Sequence, residues 1–78
     1  MKNITTQQIK AARMLLMWDQ VELARRADIG VATLRRIEAI PGPALASAEI
    51  MEKLTSAITA AGVQFLDGSR GIGVRLIQ

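Results

Sequence analysis

The chain has 78 residues, a formal net charge of +3, and neither cysteine nor histidine. This composition excludes disulfides and thiol chemistry, and it removes the usual ligands of a structural zinc ion. We therefore expect a single domain over residues 1–78 that holds no cofactor. Half of the residues are hydrophobic but only 3% are aromatic, which favours helices over strands.

The positive charge is concentrated in the first half of the sequence. Residues 1–39 contain seven basic and four acidic side chains, whereas residues 40–78 contain three of each. Such an excess suits a polyanionic partner, although a solvated basic face explains the charge equally well. The longest apolar run, residues 14–18, is far too short to span a membrane, and no apolar segment follows Lys2 as in a signal peptide. We expect a soluble cytoplasmic protein with no membrane partner.

The first two helices are predicted from their capping residues. Thr5 is a candidate N-cap for a helix over about residues 6–17, with Gln8 completing a capping box. Asp19 is a candidate N-cap for a second helix that ends near Ala27, and Glu22 stands at the reciprocal position of its capping box.

The third helix follows after a short turn. Asp28 tolerates the left-handed conformation that often ends a helix, and Gly30 is a weak N-cap for a helix from residue 31 to about 39. Helical spacing turns Leu34 and Ile37 inward. Pro41 prevents the helix from continuing.

The remainder of the chain predicts one more helix and a hairpin. Ser47 is the candidate N-cap of the fourth helix, and Gly62 supplies a left-handed residue at its end. After Gly62 the apolar period changes, which predicts strands over residues 63–66 and 72–77 around a turn at 67–71. Because an isolated hairpin is marginal in water, this one must pack on the helices or pair with another chain.

Residues 19–38 carry the clearest functional pattern. Two short helices joined by a tight turn, with Arg35 and Arg36 facing outward from the second, form the layout of a helix-turn-helix DNA reader. A guanidinium can donate two parallel hydrogen bonds to guanine, although exposed arginines also occur simply as solvated surface. The two side chains lie about 100° apart on the helix, so one reading a base while the other grips phosphate is favoured.

Four segments together resemble the lambda-repressor-like (XRE/Cro/C1) superfamily. They are IKAAR at 9–13, LMWDQ at 16–20, ELA at 22–24 and TLRRIE at 33–38. The resemblance implies a mainly α, compact four-helix DNA-binding domain with a helix-turn-helix unit at about 19–39. The tail resembles that of a subgroup of short bacterial regulators and corresponds to a short C-terminal β-hairpin at about 63–77.

The resemblance also implies roles for individual residues. Positions that match family DNA contacts are Gln20, Val31, Ala32, Thr33, Arg35 and Arg36. Arg13 and Glu38 match a family pair that forms a largely buried salt bridge, although Arg13 alone could also be interpreted as a phosphate ligand. The chain departs from the family pattern at Met17 and Asp28, where glycine is usual, at Asp19, where serine or threonine is usual, and at Gly30, where serine is usual.

The sequence supports two functional hypotheses. The first is a sequence-specific regulator of transcription, a repressor that binds double-stranded DNA as a homodimer, with the C-terminal strands as a candidate dimer contact. The second is a protein-interaction module, such as an antitoxin or antiactivator, whose apolar tail strand adds to a partner's sheet. An enzyme is not expected, because the acidic residues are scattered and no catalytic constellation is present.

Overall fold

The computed structural model describes residues 4–77, so Lys2 lies outside the described residues. It contains four helices followed by one antiparallel hairpin, and this confirms the mainly α fold class. The elements are α1 (Thr6–Leu15), α2 (Gln20–Ala27), α3 (Val31–Glu38), α4 (Ala48–Ala60), β1 (Val63–Gly68) and β2 (Gly71–Leu76).

Helix α1 begins with the predicted capping box and ends two residues earlier than predicted. Thr5 Oγ1 accepts from the Gln8 backbone N–H, while Gln8 Oε1 accepts from the Thr5 N–H. Met17, the predicted last residue, has a left-handed φ of 58°. A residue in that conformation cannot continue a right-handed helix, so the chain turns there into α2.

Helix α2 has the predicted N-cap but not the predicted capping box. Asp19 Oδ1 accepts from the Glu22 backbone N–H at 2.8 Å. The Glu22 carboxylate does not return to the Asp19 backbone; it accepts hydrogen bonds from Arg25 and Arg26, one turn further along α2. At the end of the helix Asp28 adopts the predicted left-handed conformation, with φ 58°.

One apolar core joins the helices to the first strand. Its members are fully or nearly buried aliphatic side chains: Ile9, Ala12, Leu23, Ala24, Ala27, Leu34, Ile37, Leu54, Ile58 and Val63. Trp18, Phe65 and Leu76 pack against this core from its edge. Helix α2, the turn after it and helix α3 are therefore all held by apolar burial. This burial sets the direction in which α3 presents its outer face.

The hairpin packs on the helices through a buried glutamine. Gln8 Nε2 donates to the carbonyl oxygens of Leu66 and Gly73, each at 3.0 Å, and these two residues face each other across the strands. The turn is narrower than predicted, because pairing continues to Gly68 and Gly71. The strands are thereby anchored to α1.

Gly62 is required where α4 passes into β1. Its φ is +104°, and a Cβ there would lie 3.0 Å from the Ile77 carbonyl oxygen. The Gly62 carbonyl oxygen also accepts from the Ile77 N–H at 2.7 Å. The predicted left-handed residue thus also lets the end of the chain approach closely.

We predict that Met17→Gly stabilises the protein. The Met17 residue is 91% exposed, so the substitution removes little packing, while a left-handed conformation costs a non-glycine residue about 1–2 kcal/mol. After allowing for the greater freedom of glycine in the unfolded chain, we expect a gain of about 0.5–1 kcal/mol in the free energy of unfolding, measured by urea denaturation.

Met17→Ala is the matched control, because alanine retains the backbone penalty and should give no gain. A Met17→Gly variant less stable than the wild type would contradict the prediction and would show that the methionine side chain stabilises the fold.

Candidate nucleic-acid interface

The outer face of α3 is formed by two small and two basic residues. Ala32, Arg35, Arg36 and the C-cap residue Ala39 are all exposed, whereas Leu34 is completely buried. At about 100° per residue, the four exposed positions fall within roughly a quarter of the helix circumference. The small side chains leave the two guanidinium groups as the most projecting features of this face.

The other two predicted contact positions on α3 lie at the flanks of this face. Val31 and Thr33 are each half-buried, and Val31 also packs against the core. Gly30 is the N-cap of α3, as predicted, and provides no side-chain hydrogen bond to the helix. The structure therefore brings Ala32, Arg35 and Arg36 onto one accessible face, with the other two positions beside it.

Arg35 and Arg36 differ from the other arginines of the helix-turn-helix region in their ion pairing. Within residues 4–77, neither guanidinium lies in an ion pair. Arg25 and Arg26 differ, since both lie 2.6 Å from Glu22 Oε2. Hydrogen bonds from Arg25 and then Arg26 lower the pKa of the Glu22 carboxyl, and the hydrogen bond to Glu22 raises the pKa of Arg25.

Arg26 has a second partner in Trp18. Its guanidinium carbon lies 4.4 Å from the centroid of the indole ring, within the range of a cation–π contact. Both arginines of α2 therefore have partners inside the protein: Glu22 in the same helix and, for Arg26, also Trp18 just before it. The basic residues of α3 remain available to an external anion.

Arg13 and Glu38 form a buried, bidentate ion pair between α1 and α3. Arg13 Nη2 lies 2.9 Å from Glu38 Oε1, and Arg13 Nε donates to Oε2 at 3.0 Å. The exposed fractions of the two side chains are 14% and 2%. Arg13 Nη1 donates further to the Trp18 carbonyl oxygen at 3.1 Å, so the same side chain also fixes the connection into α2. Its guanidinium is therefore occupied inside the protein.

Gln20, the predicted contact at the start of α2, joins this ion pair. Its Nε2 donates to Glu38 Oε1 at 3.0 Å, and the residue is half-buried. The sequence motifs predicted a DNA contact for Gln20 and a structural ion pair for Arg13 and Glu38, but not the hydrogen bond that links Gln20 to Glu38. Their spacing of 18 positions along the chain gives no signal, because the contact exists only once α2 and α3 pack.

The loop between α3 and α4 offers no basic side chain beside this face. Ile40 and Leu45 are its exposed large hydrophobic residues. The loop is fixed to α1, since the Thr6 N–H donates to the Gly42 carbonyl and the Gly42 N–H donates to Gln7 Oε1. The positive charge of the candidate interface therefore comes from α3 itself.

A family model described as helix-turn-helix matches residues 9–58, which is more than half of the chain. The chain belongs to the helix-turn-helix family. Its type is that of the XRE or lambda-repressor-like DNA-binding regulators, and this confirms the resemblance given by the sequence motifs. The match covers most of α1 and α4 and everything between them, and it does not extend to the hairpin.

No curated protein is similar enough to this chain to be counted as a relative. Among residues 4–77, no helix has the length and apolar character needed to cross a membrane.

We predict that Glu38→Ala unfolds this helix-turn-helix protein. The substitution leaves the Arg13 charge buried without its partner, which costs about 3–5 kcal/mol. A chain of 78 residues is stabilised by only about 4–12 kcal/mol in total, at roughly 0.05–0.15 kcal/mol per residue, and a small domain lies toward the lower end, where this loss removes most of the stability. Circular dichroism with thermal denaturation measures the loss.

The matched control is the double variant Arg13→Met/Glu38→Leu, which removes both charges and should retain most of the stability. A Glu38→Ala protein that melts within a few degrees of the wild type would show that the buried pair does not stabilise the fold.

Proposed function

We propose that this protein is a sequence-specific regulator of transcription that inserts α3 into the major groove of double-stranded DNA. The observation that carries the proposal is the pair of exposed, uncompensated arginines on the outer face of α3. An α-helix fits the major groove of B-DNA, and an arginine can bind the O6 and N7 atoms of guanine in a bidentate manner. The helix-turn-helix family assignment supports a DNA-binding role for α3.

The two arginines take different roles in this proposal. Because they lie about 100° apart on α3, both cannot approach the same base edge. One reads a guanine and the other binds a phosphate oxygen. Ala32 lies against the bases, where its methyl group can contact a thymine methyl. Val31 and Thr33 flank the groove.

Gln20 is proposed as a backbone contact from α2. It is the first residue of that helix, where backbone N–H groups favour an anion. Its side chain retains one amide N–H after bonding Glu38, and this group can donate to a phosphate.

We propose further that two copies act together as a homodimer. One helix-turn-helix unit reads only a few base pairs, whereas a symmetric dimer reads two half-sites about one helical turn apart. The hairpin supports this, because Ile72 and Ile77 are 55% and 54% exposed. A dimer covering its operator in the bacterial cytoplasm would hinder transcription, so repression is the proposed outcome.

We predict that Arg35→Ala and Arg36→Ala differ in what they change. The variant that loses the guanine contact should bind its preferred site about 5- to 150-fold more weakly and accept other bases at one position. The variant that loses a phosphate contact should weaken all sequences alike and reduce the salt slope by about one. A site selected from random double-stranded DNA, followed by fluorescence anisotropy at several salt concentrations, measures both effects.

Arg70→Ala is the matched control, because Arg70 is an exposed arginine in the hairpin turn. It removes the same charge far from α3 in the sequence and should leave the base preference unchanged. If all three substitutions weaken binding equally and leave the preference intact, α3 does not read the bases.

We predict that Ile72→Lys/Ile77→Lys converts a dimer into a monomer. Two charges introduced at the exposed apolar positions of the hairpin oppose burial between copies. Sedimentation velocity of the free and DNA-bound protein measures the change. Leu45→Lys is the control, since Leu45 is equally apolar and 71% exposed but lies in the α3–α4 loop. A wild-type protein that remains monomeric at high concentration and on DNA rules out the dimer.

The second candidate function is a protein-interaction module of the antitoxin or antiactivator type. The exposed apolar hairpin residues and the absence of basic side chains between α3 and α4, both within the described part of the chain, favour it. Salt separates the two functions, because counterion release makes DNA binding fall steeply with salt, whereas an apolar protein interface is little affected.

A further inference from the structure

We infer that Glu38 is a positioning residue for DNA binding, which holds the amide of Gln20 in one orientation ready for a phosphate of the DNA backbone. This inference rests on the proposed function. It concerns the link between Gln20 and the buried ion pair, which gives Glu38 a role beyond stabilising the fold.

The Glu38 carboxylate is itself fixed in place. Its side chain is 2% exposed, and its oxygens accept three hydrogen bonds. Two come from the planar fork of Arg13, which sets the orientation of the carboxylate, and the third comes from Gln20. Oε1 is shared between Arg13 Nη2 and Gln20 Nε2, at 2.9 Å and 3.0 Å.

A fixed carboxylate determines which end of the Gln20 amide faces it. An ionised carboxylate only accepts hydrogen bonds, so Gln20 must present its NH₂ group and not its carbonyl oxygen. A solvated glutamine samples several rotamers and both orientations of its amide. Gln20 is restricted to the arrangement in which Nε2 is the atom beside Glu38.

The groups that remain on Gln20 match a phosphate. Within residues 4–77, the second Nε2–H and the Oε1 atom have no hydrogen-bond partner. Phosphate oxygens accept hydrogen bonds, so they require the N–H. The Gln20 side chain is already ordered when the protein folds, so DNA binding does not have to order it. This preorganisation strengthens DNA binding.

The hydrogen bonds of the Glu38 carboxylate also connect three helices. Arg13 belongs to α1, Gln20 begins α2 and Glu38 ends α3. A phosphate contact made by Gln20 is therefore held in register with α3, the helix proposed to read the bases.

A double-mutant cycle on DNA affinity tests the inference. Gln20→Ala is compared in the wild type and in the Arg13→Met/Glu38→Leu background, which removes the carboxylate without leaving an unpaired charge. In the wild type we expect Gln20→Ala to weaken binding about 2- to 10-fold, the cost of ordering one such side chain. In the second background its effect should fall close to zero. Gln7→Ala, which alters an exposed glutamine of α1, is the control and should change the DNA affinity by the same factor in the two backgrounds.

A second measurement needs no variant and tests whether the Gln20 amide is held in the free protein. In the free wild-type protein, one side-chain N–H of Gln20 should exchange with solvent more slowly than the side-chain N–H groups of Gln7, whose Nε2 has no partner within residues 4–77. Slow exchange would show that Glu38 holds the Gln20 amide before DNA binds, and the double-mutant cycle then shows whether that contact affects DNA affinity. NMR of the side-chain amides measures it.

The outcomes distinguish this inference from the function on which it rests. Equal costs of Gln20→Ala in both backgrounds, or a Gln20 amide that exchanges as fast as that of Gln7, overturn the positioning role and leave DNA binding intact. A wild-type protein that binds no DNA overturns the proposed function and the positioning role together.

Discussion

The buried carboxylate of Glu38 is the constraint on which the helix-turn-helix region depends. A charge that is 2% exposed is tolerated only when its partner and its remaining lone pairs are satisfied, and here Arg13 and Gln20 supply all three donors. Because these residues come from α1, α2 and α3, the need to neutralise one anion fixes the relative placement of three helices. Apolar burial gives the region its stability, whereas the directional hydrogen bonds of this network specify its geometry.

The positive charge that the surface offers depends on which arginines form ion pairs within the protein. Arg13 pairs with Glu38 in the interior, and Arg25 and Arg26 pair with Glu22 within α2. Arg35 and Arg36 form no ion pair with any residue in the described part of the chain. The net charge of a sequence therefore says less about a polyanion-binding face than the number of arginines that lack an internal partner.

Local signals in the sequence were sufficient for most element boundaries. Thr5, Asp19 and Ser47 cap the helices that they were predicted to cap, because N-capping is a short-range hydrogen bond between a side chain and the next turn. Besides the hairpin turn, which is narrower than predicted, two local predictions for the helices were wrong. α1 stops at Leu15 because Met17 takes a left-handed turn, and Glu22 binds arginines in place of the Asp19 backbone. In the first case another backbone conformation prevailed and in the second another hydrogen-bond partner did, and a sequence pattern does not rank such alternatives.

The sequence by itself determined the family, the order of helices and hairpin, and the outward direction of Arg35 and Arg36, since these follow from periodicity, capping and spaced motifs. Only the tertiary structure decided that Gln20 meets Glu38, that Gln8 bonds both strands, and that Arg35 and Arg36 are outside the ion pairs of residues 4–77. The reason is physical. These contacts join residues up to 65 positions apart, and their geometry exists only after apolar burial has brought the helices and the hairpin together.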